Sequence, residues 1–158
     1  MTIAPIVKVV DVKAPPARAF DLFTGRMGAW WPKAMSIGGA PFAEILIEPR
    51  TGGRWFERSE DGVETQWGRV LDWGPPGRVL LAWQIDGAFR YDPAFETELE
   101  LTFSALGEGT RVTLEHRHLE RFGDSAERLA GMLGGGWHGI MDGFGHFVAQ
   151  SAEEETHQ

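Results

Sequence analysis

The chain has 158 residues, a formal net charge of −8 and a sequence pI of about 5.1. That length fits one domain with its own core, and the acidic balance disfavours contact with nucleic acid or anionic lipid. The absence of cysteine excludes disulfides, thiolate catalysis and cysteine metal sites. Neither a signal peptide nor an apolar stretch of about 20 residues is found. We therefore expect a cytoplasmic protein, monomeric or homodimeric, with no nucleic-acid or membrane partner.

The predicted elements begin with a strand over residues 6–13, which is rich in β-branched residues. Two short helices follow. The first begins at Pro16, a residue suited to a first helical turn, and the second covers residues 26–31 and is stopped by Pro32. The loop over residues 33–41 contains two glycines and is expected to be mobile.

Six further strands are predicted from turn residues and from apolar residues that alternate with polar ones, except that residues 79–85 are apolar on both faces, as in a central or doubly covered strand. They cover residues 42–48, 54–59, 64–73, 79–85, 96–103 and 111–117. The last two form a hairpin whose inward face is predicted to carry Thr97, Leu99, Leu101, Phe103, Val112, Leu114 and His116. Its other face is charged, so we expect a sheet with one dry side.

A long helix is predicted from Asp124 and Glu127, which resemble a capping box, to about residue 150. One face of this helix carries Trp137, Ile140, Met141, Phe144 and Val148. The glycine run 134–136 is a candidate interruption. We expect a single domain over residues 1–150 and an acidic flexible tail over residues 151–158.

The dry face of the sheet must be covered, and only the terminal helix is long enough to cover it. We therefore predict an α+β fold in which a curved, antiparallel, seven-stranded sheet wraps around the long C-terminal helix. Two short helices follow strand 1. The space beneath the sheet, beside these short helices, is the candidate pocket.

Several short motifs occur in a characteristic order along the chain. They are Ala29-Trp30-Trp31-Pro32, Pro49-Arg50-Thr51-Gly52-Gly53-Arg54-Trp55, Gly68-Arg69-Val70-Leu71, Pro75-Pro76, the segment from Val79 to Trp83, Val112-Thr113-Leu114-Glu115-His116, and Gly136-Trp137. In this order they resemble the SRPBCC or START-like superfamily, and within it the family related to the C-terminal domain of the heat-shock-protein-90 ATPase activator. The resemblance extends from Ile6 to about Val148.

That resemblance implies a helix-grip fold with a cavity for small apolar ligands. It does not imply one chemistry, because the superfamily includes carriers, cyclases, hydrolases and chaperone partners. The candidate ligand-binding residues are mostly aromatic: Trp30, Trp31, Trp55, Trp67, Arg69, Trp83, Phe103, His116, Trp137, Met141 and Phe144. Trp30 and Trp31 are expected at the pocket mouth.

Polar residues near the predicted pocket have two interpretations each. His116 is either a buried neutral imidazole with a satisfied hydrogen bond, or a ligand contact or general base. Arg69 either anchors a ligand carboxylate or pairs with a glutamate at the rim. Glu57 faces inward if Trp55 and Glu57 occupy the inward face of the strand, and outward if Arg54 and Phe56 occupy it.

His138, Asp142 and His146 recur every four residues, as metal ligands on a helix can. Their face lies opposite the apolar stripe, so we expect them in solvent. We predict no metal, no other cofactor and no catalytic residue.

The leading hypothesis is non-catalytic binding of a small hydrophobic or aromatic molecule in an internal cavity. One alternative is an enzyme that acts on a small apolar substrate, with His116 as acid or base. A second alternative is a module that interacts with a chaperone.

Overall fold

Seven antiparallel strands form one sheet in the computed structural model, which describes residues 3–156 and the side chains of residues 3–152. The strands are β1 (Ile6–Val12), β2 (Phe42–Ile47), β3 (Arg54–Ser59), β4 (Glu64–Gly74), β5 (Arg78–Trp83), β6 (Thr97–Leu106) and β7 (Gly109–Arg117). The helices are α1 (Pro16–Gly25), α2 (Met27–Trp30) and α3 (Ala126–Thr156). Short 3-10 segments cover Lys33–Met35 and Leu119–Ser125.

The strand order in the sheet is β1-β7-β6-β5-β4-β3-β2. Successive strands from β2 to β7 are neighbours, and β1 pairs with β7 at the far edge. The helices α1 and α2 therefore cross from one edge of the sheet to the other. Together with α3 they cover a single face, which is the predicted helix-grip arrangement.

The β6–β7 hairpin confirms the predicted register. Leu101 pairs with Leu114 and Phe103 pairs with Val112, and all four side chains are buried. The opposite face carries ion pairs: Arg117 lies 3.0 Å from carboxylate oxygens of Glu98, Glu100 and Glu115. One face of the sheet is thus dry and the other charged, as the alternation predicts.

Helix α3 packs its predicted apolar face against the sheet. The buried residues of that face include Trp137, Ile140, Met141, Phe144 and Val148. The predicted interruption at residues 134–136 is wrong, because the helix is continuous through them and ends at Thr156. The segment predicted as a tail therefore begins inside α3, and residues 157–158 lie outside the described residues. Within residues 3–156 no helix is both long and apolar enough to span a bilayer.

Candidate ligand-binding site

A cavity of about 320 Å³ lies between α3, the loop after α2 and one end of the sheet. The loop contributes Trp31, Ala34, Met35, Ser36 and Ile37. The sheet and its connections contribute Trp67, Trp83, Ile85 and Phe89, and α3 contributes Met132, Leu133, Gly136, Trp137 and Ile140. This volume lies at the lower end of the range of small-molecule sites, about 300–1,000 Å³.

Four tryptophan rings form much of the cavity wall and pack against one another. The Trp31 ring centroid lies 5.3 Å from that of Trp67 and 5.6 Å from that of Trp137. The Trp83 and Trp137 centroids are 5.5 Å apart. Because large rings held by neighbouring rings have little rotamer freedom, they form a rigid apolar surface.

Three of these four indole N–H groups have acceptors in the protein. Trp67 Nε1 donates to Glu57 Oε1 at 2.9 Å, Trp83 Nε1 to the Ile85 carbonyl at 3.1 Å, and Trp137 Nε1 to His116 Nδ1 at 3.1 Å. Among the described residues, Trp31 Nε1 has no acceptor although it is buried.

The rim of the cavity is apolar and partly exposed. The exposed fractions of Met35, Phe89 and Met132 are 41%, 44% and 50%. Phe89 also has a positive φ of 59°, which is unfavourable for a bulky side chain; it lies in a tight turn in which its backbone N–H donates to the Asp86 carbonyl at 3.0 Å. An exposed apolar rim around a concave apolar wall is typical of a ligand-binding site.

A buried carboxylate, that of Glu57, ties the loop after α2 to the sheet. Its Oε1 accepts from the Ile37 backbone N–H at 2.7 Å and from Trp67 Nε1, and its Oε2 accepts from the Ser36 hydroxyl. Among the described residues no cation pairs with Glu57. The loop that was expected to be mobile is therefore held at Ser36 and Ile37 by three donors on one carboxylate.

The inward position of Glu57 resolves the ambiguity along β3. Trp55 and Glu57 face the interior, whereas Phe56 is buried on the outer face, where the Arg54 guanidinium lies 4.3 Å from its ring centroid. A guanidinium that covers an aromatic ring hides that ring from water as effectively as a core does.

The prediction that Arg69 faces the ligand is wrong. Trp55 pairs with Gly68 but Phe56 pairs with Gln66, so Trp67 is an extra residue in β4 and the alternation shifts after it. Arg69 consequently lies on the outer face, where it is exposed and forms an ion pair with Glu96 at 2.5 Å. Pairing with a glutamate is the second of the two interpretations that the sequence allowed for Arg69.

His116 lies behind the wall and is fully buried. Trp137 Nε1 donates to its Nδ1, so the ring proton is on Nε2, which lies 2.8 Å from Thr97 Oγ1. The Thr97 hydroxyl in turn donates to the Trp83 carbonyl oxygen at 3.4 Å. Burial lowers the pKa of His116 to about 3, which keeps the imidazole neutral. With both ring nitrogens engaged, the geometry matches the satisfied core histidine and offers no free base.

Six more of the predicted site residues do not line the cavity. Trp30, Phe103 and Phe144 belong to an aromatic cluster around Phe23, at centroid distances of 4.9, 5.8 and 5.1 Å from its ring. Trp55 and Met141 are buried in the core beside the cavity, as is His116. Of the eleven predicted positions, the structure thus brings Trp31, Trp67, Trp83 and Trp137 together around the cavity.

Sequence reasoning missed the aliphatic part of the wall. Leu133, Gly136 and Ile140 follow the same helical spacing as Trp137, so the apolar stripe of α3 could have been extended by one turn to find Leu133. Met35 and Ile37 had no such signal, because their position depends on how Glu57 holds the loop. Phe89 lies in an irregular connection that carries no periodicity.

The histidine stripe on α3 lies in solvent, as predicted. His138 and Asp142 side chains are 71% and 62% exposed, and His146 is exposed on the next turn. In the described part of the chain no group of three or more His, Asp or Glu side chains could hold a metal ion.

The fold and cavity define a helix-grip protein with an apolar, tryptophan-walled site. Residues 13–149 match the sequence profile of the family described as "Activator of Hsp90 ATPase homolog 1-like protein", and the chain belongs to this family. The resemblance drawn from the sequence motifs is thereby confirmed. Among proteins with curated descriptions, none matches the chain significantly.

Two solved structures are similar over nearly their whole length. An anthrahydroquino-gamma-pyrone synthase, Txn09, is 34% identical with a TM-score of 0.62, and the match covers 92% of this chain and 97% of that one. A self-sacrificing resistance protein, CalC from Micromonospora echinospora, is 29% identical with a TM-score of 0.71, and the match covers 94% and 96% of the two chains.

Proposed function

We propose that the protein binds a small, planar, mostly apolar aromatic molecule in the cavity between α3 and the loop after α2. The observation that carries the proposal is a concave wall of four packed tryptophans with an exposed apolar rim. Flat ring faces favour a ligand that can lie against them in offset-stacked or edge-to-face contact.

The chemistry of the wall favours a neutral ligand. None of the described lining residues carries a charged side chain. A carboxylate or ammonium placed there would lose its hydration without gaining an ionic partner, which is strongly unfavourable. Arg69, the cation that sequence reasoning offered for a ligand carboxylate, lies on the other face of the sheet.

One similar protein supports the same ligand class. The 34% identical synthase is named for an anthrahydroquino-gamma-pyrone, a fused aromatic skeleton that carries a pyrone ring. A ligand of this kind is planar and mostly apolar, as the cavity requires.

A pair of neighbouring glycines on α3 allows a matched test. Gly136 lines the cavity, and a Cβ added there would meet only Met35 Cε, at 3.7 Å. Gly135 is exposed, with open space around the same position. Gly136→Leu should fill the cavity without disrupting the backbone. Gly135→Leu should also leave the backbone intact, but its side chain should lie outside the cavity. Both replace glycine by a better helix former, so both should keep or raise the melting temperature.

Tryptophan emission during titration with xanthone, a planar neutral aromatic ketone, measures the binding. We expect saturable quenching in the wild type and in Gly135→Leu, and at least tenfold weaker binding in folded Gly136→Leu, because a leucine side chain would occupy much of a cavity of about 320 Å³. Equal affinity in both variants would place the ligand elsewhere. No saturable response from the wild type to any planar neutral aromatic would reject the proposal.

Catalysis on the bound molecule is the second candidate, favoured by the identity to a synthase. His116 does not supply the base, because both its nitrogens are engaged away from the cavity. A buried carboxylate, that of Glu57, is linked to the cavity because it accepts a hydrogen bond from the hydroxyl of the lining residue Ser36. Such a pair offers a route for a proton between ligand and protein.

Pyrone closure provides a simple assay for this candidate. In 1-(2-hydroxyphenyl)butane-1,3-dione the phenol oxygen attacks the distal ketone, and loss of water gives 2-methylchromone. Chromatography with mass detection measures the product. Catalysis predicts a rate above that of buffer that falls in Glu57→Gln and persists in His116→Gln. A rate equal to that of buffer for this probe would leave binding as the better-supported function.

A further inference from the structure

Two methionines in the described part of the chain are exposed, and both line the cavity. Met35, in the loop after α2, is 41% exposed, and Met132, on α3, is 50% exposed. Met27 and Met141 are buried and do not line the cavity. The chain has no cysteine, so thioethers are its only sulfur groups. A soluble oxidant therefore meets the described sulfur atoms first at the rim of the cavity.

The side chains of these two methionines border the same stretch of α3. A Cβ added at Gly136 would meet Met35 Cε at 3.7 Å, so the methyl group of Met35 reaches from the loop to this helix. Met132 lies one helical turn before Gly136 and therefore on the same face of α3. Thioethers suit a rim for planar ligands, because they are apolar, flexible and make favourable contacts with aromatic rings.

We infer that Met35 and Met132 form an oxidation site through which peroxide lowers the affinity of the cavity for its ligand. This inference rests on the proposed binding function and adds its regulation. The thioether sulfur attacks one peroxide oxygen, the S–O bond forms as the O–O bond breaks, and methionine is oxidised to its sulfoxide. The proton of the transferred hydroxyl passes to the leaving oxygen. Hydrogen peroxide is thereby reduced to water, and an alkyl hydroperoxide to its alcohol.

The apolar wall explains why a sulfoxide weakens binding. Its oxygen is a strong acceptor that water hydrates, and a ligand that closes onto the rim removes this water. The N–H groups of Trp67, Trp83 and Trp137 cannot replace it, because they already donate to protein acceptors. A polar group that loses its hydration without gaining a hydrogen bond is unfavourable. The oxidised rim therefore disfavours an apolar ligand.

Peptide mass mapping after brief treatment of the folded protein with hydrogen peroxide tests the site itself. Met35 and Met132 should gain oxygen well before Met27 and Met141, because a buried thioether reacts only when the structure around it opens. Equal rates at the four positions would overturn the assignment of the site.

Equilibrium dialysis with xanthone, read by the absorbance of xanthone itself, tests the effect on binding. Each protein is compared before and after peroxide treatment. The matched variant is Met35→Leu/Met132→Leu, which keeps apolar side chains of similar volume and removes the sulfur. We expect the affinity of the wild type to fall about fivefold or more, the effect of desolvating one polar group, and that of the variant to change little. Methionine sulfoxide reductases A and B together should restore the wild type.

An unchanged affinity in the oxidised wild type, or an equal fall in the double variant, would contradict control by these methionines while leaving the binding function intact. Circular dichroism of the treated protein separates a local effect from unfolding, and a fall that accompanies unfolding would also overturn the inference. Failure of xanthone to bind the untreated wild type would instead count against the binding function and the inference with it.

Discussion

His116 lies at the centre of a hydrogen-bond chain that joins α3 to three neighbouring strands, β7, β6 and β5. Trp137 donates to its Nδ1, its Nε2 donates to Thr97, and Thr97 donates to the carbonyl of Trp83. Trp83 and Trp137 are both wall residues, so the chain fixes two rings of the cavity from behind. At the scale of single residues, His116 therefore positions the wall.

The low pKa of His116 predicts a loss of stability in mild acid. Its pKa is about 3 in the folded protein, against 6.5 for an unperturbed histidine. Between these values the unfolded chain binds a proton that the folded protein does not, so stability falls as pH drops below 6.5. The His116 contribution between pH 7 and pH 5 should be about 2 kcal/mol.

Denaturant unfolding at pH 7 and pH 5 measures this contribution, with His116→Gln as the reference. Glutamine can keep one donor and one acceptor at the site but does not titrate. The wild type should lose about 2 kcal/mol more than the variant over this interval. Equal losses would show that His116 is protonated in the folded protein at pH 5.

The residues of the site were only partly predictable. The tryptophans at 31, 67, 83 and 137 are found from motif positions and helical spacing. Arg69 was misplaced because the extra residue at Trp67 inverts the alternation that follows it; Gly68, a glycine inside the strand, is the local signal that could have indicated that bulge. Glu57 was ambiguous for a related reason, because a cation-covered Phe56 is as buried as its inward neighbours.

At the scale of elements, the loop after α2 forms one side of the cavity wall. Its 3-10 segment, Lys33–Met35, has no buried residue, and the next two residues are fastened by Glu57. Loops fastened by polar side chains open at lower free energy than core strands. The Glu57 carboxylate is therefore expected to control access to the cavity.

Glu57→Gln tests that control. An amide can keep its oxygen toward Ile37 and donate its NH₂ to the Ser36 hydroxyl, but it carries no charge, so it holds the loop by weaker hydrogen bonds than the carboxylate does. Hydrogen exchange at the Ile37 amide should become about tenfold faster or more, the size of a charge-assisted bond. The control is Glu60→Gln, the same change at an exposed position. Unchanged Ile37 exchange in Glu57→Gln would mean that other contacts hold the loop.

Helix α3 shows where sequence propensity and packing disagree. A run of glycines favours interruption, yet the helix is continuous through it. The buried apolar residues from Trp137 onward pack this segment against the sheet. This tertiary packing outweighs the low helix propensity of the glycines. At Gly136 the missing side chain also leaves space that belongs to the cavity.

At the scale of the whole molecule, the fold was predictable because the strands β6 and β7 alternate between apolar and polar residues. The β6–β7 hairpin has an apolar face and a charged face, and one such hairpin sets the inside and outside of the sheet. The long amphipathic helix has only that dry face to cover. The cavity itself was not predictable in extent, because it is the space left between elements and depends on packing that no local pattern reports.

Binding inside the tryptophan-walled cavity is tested most directly by the indole N–H signals of ¹⁵N-labelled protein during titration with xanthone. The signals of Trp31, Trp67, Trp83 and Trp137 should shift saturably with one dissociation constant, because these rings line the cavity. The signal of Trp73, which packs on Phe20 at a centroid distance of 5.0 Å and does not line the cavity, should stay in place. Absence of saturable shifts at the four wall rings, or a shift of Trp73 as large as theirs, would contradict binding in this cavity.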